Sequence, residues 1–88
     1  MSRYTATLEN GNELAWGFDR PIGEYFIQLF DPEDEPIFSV GSHVTLTPHP
    51  VYPHRKHWSN GELLQVFEDY NDAIPEDHIQ SLALDLVF

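Results

Sequence analysis

The feature that most constrains the fold is a change in the spacing of apolar residues near position 59. Before it, apolar side chains alternate with polar ones in short runs; after it, they recur at intervals of three and four residues. The first spacing is typical of strands with one buried face, and the second is typical of amphipathic helices. The chain is therefore predicted to place its strands and its helices in separate parts of one α+β domain, spanning 1–88.

The first half is predicted to form an antiparallel β-meander of four or five strands. An Asn-Gly pair in 10–12 favours a hairpin, and Pro and Gly in 19–23 favour a turn. Two prolines and four carboxylates make 31–36 a loop, because this composition is excluded from a central strand. The predicted strands are 3–9, 13–18, 24–30, 37–40 and 43–47.

The second half is predicted to form two C-terminal helices packed on one face of the sheet. Ser59 and Glu62 form an S-x-x-E capping box directly before an apolar stripe, which predicts a helix over 60–71. Pro75 fits the first position of a second helix, predicted over 75–85. The segment 79–88 fits a helical stripe and also alternates like a strand, so both alternatives remain open.

Strand 24–30 is apolar on both faces, because Phe26 and Phe30 alternate with Tyr25, Ile27 and Leu29. Helices on one face of the sheet leave Phe26 and Phe30 to be buried in another way. A curled sheet can cover them, or they can form the surface of a homodimer.

Charge narrows the possible partners. The chain has 15 acidic and only four basic residues, a net charge of −11. Direct binding to nucleic acid or to an anionic membrane surface is not expected, since both need cationic patches. A protein partner with a basic surface is expected, because long-range attraction would speed the encounter. The residues predicted to contact it are the carboxylates of the first helix and of the acidic loop: Glu62, Glu68, Asp69 and Asp72, and Asp31, Glu33, Asp34 and Glu35.

The segment 47–58 is the one part of the chain with a net positive charge. Its histidines His49, His54 and His57 suggest a metal site as an alternative, but the prolines between them favour extended backbone that would separate the rings. Tyrosine, arginine and tryptophan are enriched at binding hot spots, so Tyr52, Arg55 and Trp58 are further candidate partner contacts. The other interpretation is a stiff connection, with Trp58 as a hydrophobic staple before the helix.

No catalytic residues are assigned, because the sequence contains no P-loop, no G-x-S-x-G and no H-E-x-x-H motif. We therefore expect a binding protein, without a cofactor. The alternatives are a structural subunit or homo-oligomeric module, and a histidine-loop metal-binding domain. Absence of cysteine and of an apolar N-terminal segment favours a cytoplasmic location.

In charge, size and lack of catalytic motifs the chain resembles the DNA-mimic inhibitors of phages and plasmids, including anti-restriction and anti-CRISPR proteins. This resemblance rests on composition, so it implies a mode of action and assigns no residue. It implies inhibition or modulation of a basic partner that handles nucleic acid.

Overall fold

The computed structural model describes residues 2–88 and confirms the α+β prediction. Five antiparallel strands form one sheet in chain order, β1-β2-β3-β4-β5, and two helices follow. The elements are β1 Ser2–Thr7, β2 Glu13–Asp19, β3 Glu24–Phe30, β4 Pro36–Gly41, β5 Thr45–Thr47, α1 Asn60–Asp69 and α2 Glu76–Ala83.

The core lies between one face of the sheet and the two helices. Trp16, Ile27 and Val40 stand opposite one another on β2, β3 and β4, so they share the face that the helices cover. The helices contribute the apolar stripe that the sequence predicts, and Leu63 and Phe67 have no exposed surface. The sheet and the pair of helices therefore bury each other's apolar faces, and this burial is the main source of stability in a domain of this size.

The first helix begins as the capping box predicts. The Glu62 N–H donates to Ser59 Oγ at 3.2 Å, and the Ser59 N–H donates to Glu62 Oε1 at 3.0 Å. The helix ends at Asp69, two residues before the predicted end, because the chain turns there: the N–H groups of Ala73 and Ile74 both donate to the Tyr70 carbonyl.

The C-terminal segment, for which helix and strand both remained open, is helical only as far as Ala83. Asp85 then adopts a positive φ of 57°, and after this turn Phe88 packs against the core while Leu86 and Val87 remain exposed. The Phe88 ring stacks on His78, with the ring centroids 5.0 Å apart, and His78 in turn contacts Tyr4 at 4.4 Å. The end of the chain is thereby packed against strand β1.

Candidate functional site

Five exposed carboxylates lie close together in the sequence where the two helices meet. We name them the helix acidic surface: Glu68, Asp69, Asp72, Glu76 and Asp77. They occupy the last turn of α1, the connection and the first turn of α2. Within residues 2–88 a single ion pair forms, between Arg55 and Glu62, so none of the five lies within 4.0 Å of a cationic nitrogen of the described residues. These carboxylates are exposed to solvent and form no ion pair among the described residues.

Helix stability does not explain two of these charges. Glu68 and Asp69 lie at the C-terminal end of α1, where the helix dipole favours cations, and the last turn contains no basic residue. An acidic side chain there costs on the order of 0.3–1 kcal/mol. Glu76 and Asp77, in contrast, are favourably placed in the first turn of α2.

Glu62 is also a predicted partner contact, but its carboxylate is held by contacts within the protein. Besides closing the capping box, its Oε2 lies 3.0 Å from Arg55 Nη2. The hydrogen bond from the Ser59 backbone, with a smaller effect of Arg55, lowers the pKa of Glu62. Glu62 therefore differs from the carboxylates of the helix acidic surface, which form no ion pair with any residue that the structure describes.

The acidic loop is shaped by its own first residue. Asp31 Oδ1 accepts hydrogen bonds from the N–H groups of Glu33 and Glu35, each at 2.9 Å, and Asp34 has a positive φ of 64°. This is an Asx turn, in which a short carboxylate replaces a backbone acceptor. Asp31 is thus a structural residue of the β3–β4 hairpin, while Glu33, Asp34 and Glu35 are exposed.

The segment 47–58 folds back on itself as an aromatic cluster. The Arg55 guanidinium lies 4.2 Å from the Tyr52 ring centroid and 4.9 Å from that of Trp58. Trp58 is only 2% exposed, which corrects its assignment as a partner contact: it is a core residue. The same properties that enrich tryptophan at interfaces, a large apolar area with few rotamers, also favour it in a core. Tyr52 remains 37% exposed.

The three histidines of this segment do not converge. In the part of the chain that the structure describes, no group of three His, Cys, Asp or Glu side chains is placed to hold a metal ion. His49 is buried, 4.7 Å from the Phe38 ring, and its Nδ1 accepts from the Val51 N–H at 3.1 Å. The metal-site alternative for His49, His54 and His57 is therefore not supported by their positions.

Burial of His49 leads to a prediction about pH. Desolvation lowers its pKa from 6.5, with a smaller opposing effect of Asp69. The unfolded chain consequently binds this proton more readily than the folded protein, so the free energy of unfolding should fall as the pH drops below about 6.5. Urea unfolding near pH 7 and near pH 5 would measure the fall, which should be smaller in His49→Gln than in the wild type. An equal fall in both proteins would contradict the assignment.

The sheet face opposite the helices contains a groove that the sequence interpretation missed. Its volume is about 280 Å³, and it is lined by Phe26, Asp19 and Glu24 among others. Phe26 is only 8% exposed and Phe30 is half-buried, so Phe26 offers little surface to a second copy of the chain. The sequence does indicate that Asp19 and Glu24 lie together, because the residues that flank the 20–23 turn must stand opposite each other in a hairpin.

No helix within residues 2–88 combines the length and the apolar character that crossing a membrane requires. Comparison with protein-family models, with curated proteins and with solved structures finds no match for this chain. Its function must therefore be inferred from its own surfaces.

Proposed function

We propose that this is a small, acidic, non-enzymatic binding protein that inhibits or modulates a basic protein that handles nucleic acid. The observation that supports the proposal is the helix acidic surface, in which five exposed carboxylates fall within ten residues and have no cationic nitrogen of residues 2–88 within 4.0 Å. These five charges, on two helix ends and the connection between them, form a concentrated anionic segment, and clustered negative charge is also what the phosphates of DNA present to a protein.

The proposed mode of action is electrostatic competition. A protein that binds DNA does so by placing lysines and arginines against phosphates, with release of condensed counterions. Clustered, exposed carboxylates can occupy the same cationic surface and exclude the nucleic acid. The net charge of −11 would steer the encounter, and affinity would fall as salt is added.

A displacement experiment tests this function. Extract of the native cell is bound to immobilised double-stranded DNA, the purified protein is added, and the released proteins are identified by mass spectrometry. We expect release of one or a few basic proteins at low salt and less release at high salt. A Glu68→Lys/Asp72→Lys variant should release far less, because it changes the helix acidic surface by four charge units.

The matched control is Glu9→Lys/Glu13→Lys, which makes the same change in net charge at exposed positions away from the helices. Release that is reduced equally by both variants would show that only net charge matters, and it would contradict a defined binding surface. Stability provides a second measurement, since the lysine that replaces Glu68 would lie at the end of α1 that favours cations. The helix variant should be as stable as the wild type or more stable while losing binding.

A further inference from the structure

The geometry points to a second binding site, in the groove on the helix-free face of the sheet, for an arginine or lysine side chain presented by a protein partner. This site is separate from the helix acidic surface, because the helices cover the other face. The groove holds two carboxylates, an aromatic ring and an aliphatic rim, which together match a cationic group on an apolar stem.

The two carboxylates face each other across a hairpin. Asp19 and Glu24 are directly opposite in the β2–β3 register, where like charges destabilise a sheet. Neither has a cationic nitrogen within 4.0 Å in the described residues. The pair therefore forms a local negative potential at this end of the groove, where a bound ammonium or guanidinium would make the missing ion pair.

Glu24 is held rigidly and is nearly buried, with 8% of its surface exposed. Its Oε2 accepts hydrogen bonds from the N–H groups of His43 and Val44, at 2.9 and 2.7 Å. Among the described residues, no hydrogen bond uses Oε1, so this oxygen is available in the groove. A carboxylate fixed through one oxygen is preorganised to bind a donor through the other.

Residues two positions apart in a strand lie on the same face of the sheet. Phe26 therefore lies beside Glu24, and Gln28 lies beside Phe26 on its other side. Gln28 is oriented by two partners: Arg3 Nη1 donates to its Oε1 at 2.9 Å, and its Nε2 donates to Ser39 Oγ at 3.0 Å. The groove thus has an anionic end at Glu24 and a donor-rich end at Arg3. A partner peptide whose cationic side chain lies at the Glu24 end can direct its backbone carbonyls to the Arg3 end.

The size of the groove and its rim favour a side chain on a polypeptide over a free amine. A volume of about 280 Å³ lies at the small end of the range for ligand pockets, enough for one side chain. The rim residues Ile22, Val44 and Leu46 are 52%, 45% and 74% exposed. A free amine would leave this rim in water, whereas the residues that flank an arginine in a peptide would cover it.

The probe for this site is the acetylated and amidated tripeptide valine–arginine–valine, compared with the same peptide in which citrulline replaces arginine. Citrulline keeps the shape and removes the charge. In ¹H–¹⁵N NMR titrations at physiological salt, the backbone amides of His43 and Val44 should shift with the arginine peptide, because their acceptor Glu24 takes a second partner. Free arginine amide, tested in parallel, should bind more weakly because it leaves the rim exposed.

Glu24→Gln keeps an acceptor for the two N–H groups, and Asp19→Asn changes a half-buried position, so both variants should fold. Each should weaken peptide binding about tenfold or more. Glu68→Lys/Asp72→Lys should bind the peptide almost as well as the wild type, since charges more than a Debye length away are screened. Equal shifts with the citrulline peptide, or shifts centred on the helices, would overturn the site and leave the DNA-displacement result unaffected.

Discussion

Replacing Trp58 by alanine is expected to lower the free energy of unfolding by about 3–5 kcal/mol. The indole is 2% exposed, and it packs against the rings of His49 and Tyr52, whose centroids lie 5.8 and 5.7 Å from its own. Its loss would leave a cavity at the start of α1 and would remove one of the two rings against which Arg55 rests. A domain of this length has a total stability of roughly 4–13 kcal/mol, so the substitution should remove a large share of it.

Trp58→Phe is the matched control. The Trp58 Nε1–H is buried without a hydrogen-bond partner among the described residues, and phenylalanine removes that unpaired donor while keeping an aromatic ring. Trp58→Phe should lower the free energy of unfolding much less than Trp58→Ala does. Removal of the unpaired donor contributes about 1–3 kcal/mol, which offsets part of the loss caused by the smaller ring. Urea unfolding followed by circular dichroism would compare the two. A Trp58→Ala variant as stable as the wild type would refute the assignment of Trp58 to the core.

Replacing Gly41 by alanine should destabilise the protein by about 2–4 kcal/mol, although alanine is a small residue. A Cβ at this position would lie 2.6 Å from Glu24 Cδ, closer than the two atoms can approach. The Glu24 carboxylate would have to move, and it would give up its hydrogen bonds to the N–H groups of His43 and Val44. The connection from β4 to β5 would lose the acceptor that holds it.

A double-mutant cycle isolates this cause. In a Glu24→Ala background the carboxylate is absent, so Gly41→Ala should cost less than about 1 kcal/mol. Unfolding free energies of the wild type, both single variants and the double variant give the coupling directly. If the losses of unfolding free energy in the two single variants add up to the loss in the double variant, the clash with Glu24 does not explain why position 41 requires glycine.

The sequence was sufficient to predict the elements that local chemistry determines. Period-2 alternation located the strands, and the Ser59–Glu62 capping box located the start of α1 within one residue. These signals work because they involve neighbours in the chain. The end of α1 was less predictable, since the apolar stripe continues to Tyr70 while the backbone has already turned.

What the sequence could not provide were contacts between distant residues. Trp16 Nε1 donates to His78 Nδ1 at 3.1 Å across 62 positions, and no local pattern indicates this pairing. The groove depends in the same way on strand pairing, because all five strands contribute residues to it and the β3–β4 register brings Phe26 beside Gly41. For Trp58, residue type alone does not distinguish a core position from an exposed contact, because both favour large aromatic side chains.

The strand order has a consequence for the way the domain folds. Because every strand pairs with its neighbours in the chain, the sheet can grow hairpin by hairpin, on a timescale of microseconds for each, with little loss of chain entropy from loop closure. The outer strand β1 is an exception in one respect: besides Trp16 on the neighbouring strand, the rings that pack on Tyr4 belong to His78 and Phe88, far along the sequence. During synthesis on the ribosome, Tyr4 would therefore gain these two ring contacts only after residues 78 and 88 have been added. Destabilisation of α2 should therefore appear first as fraying of β1.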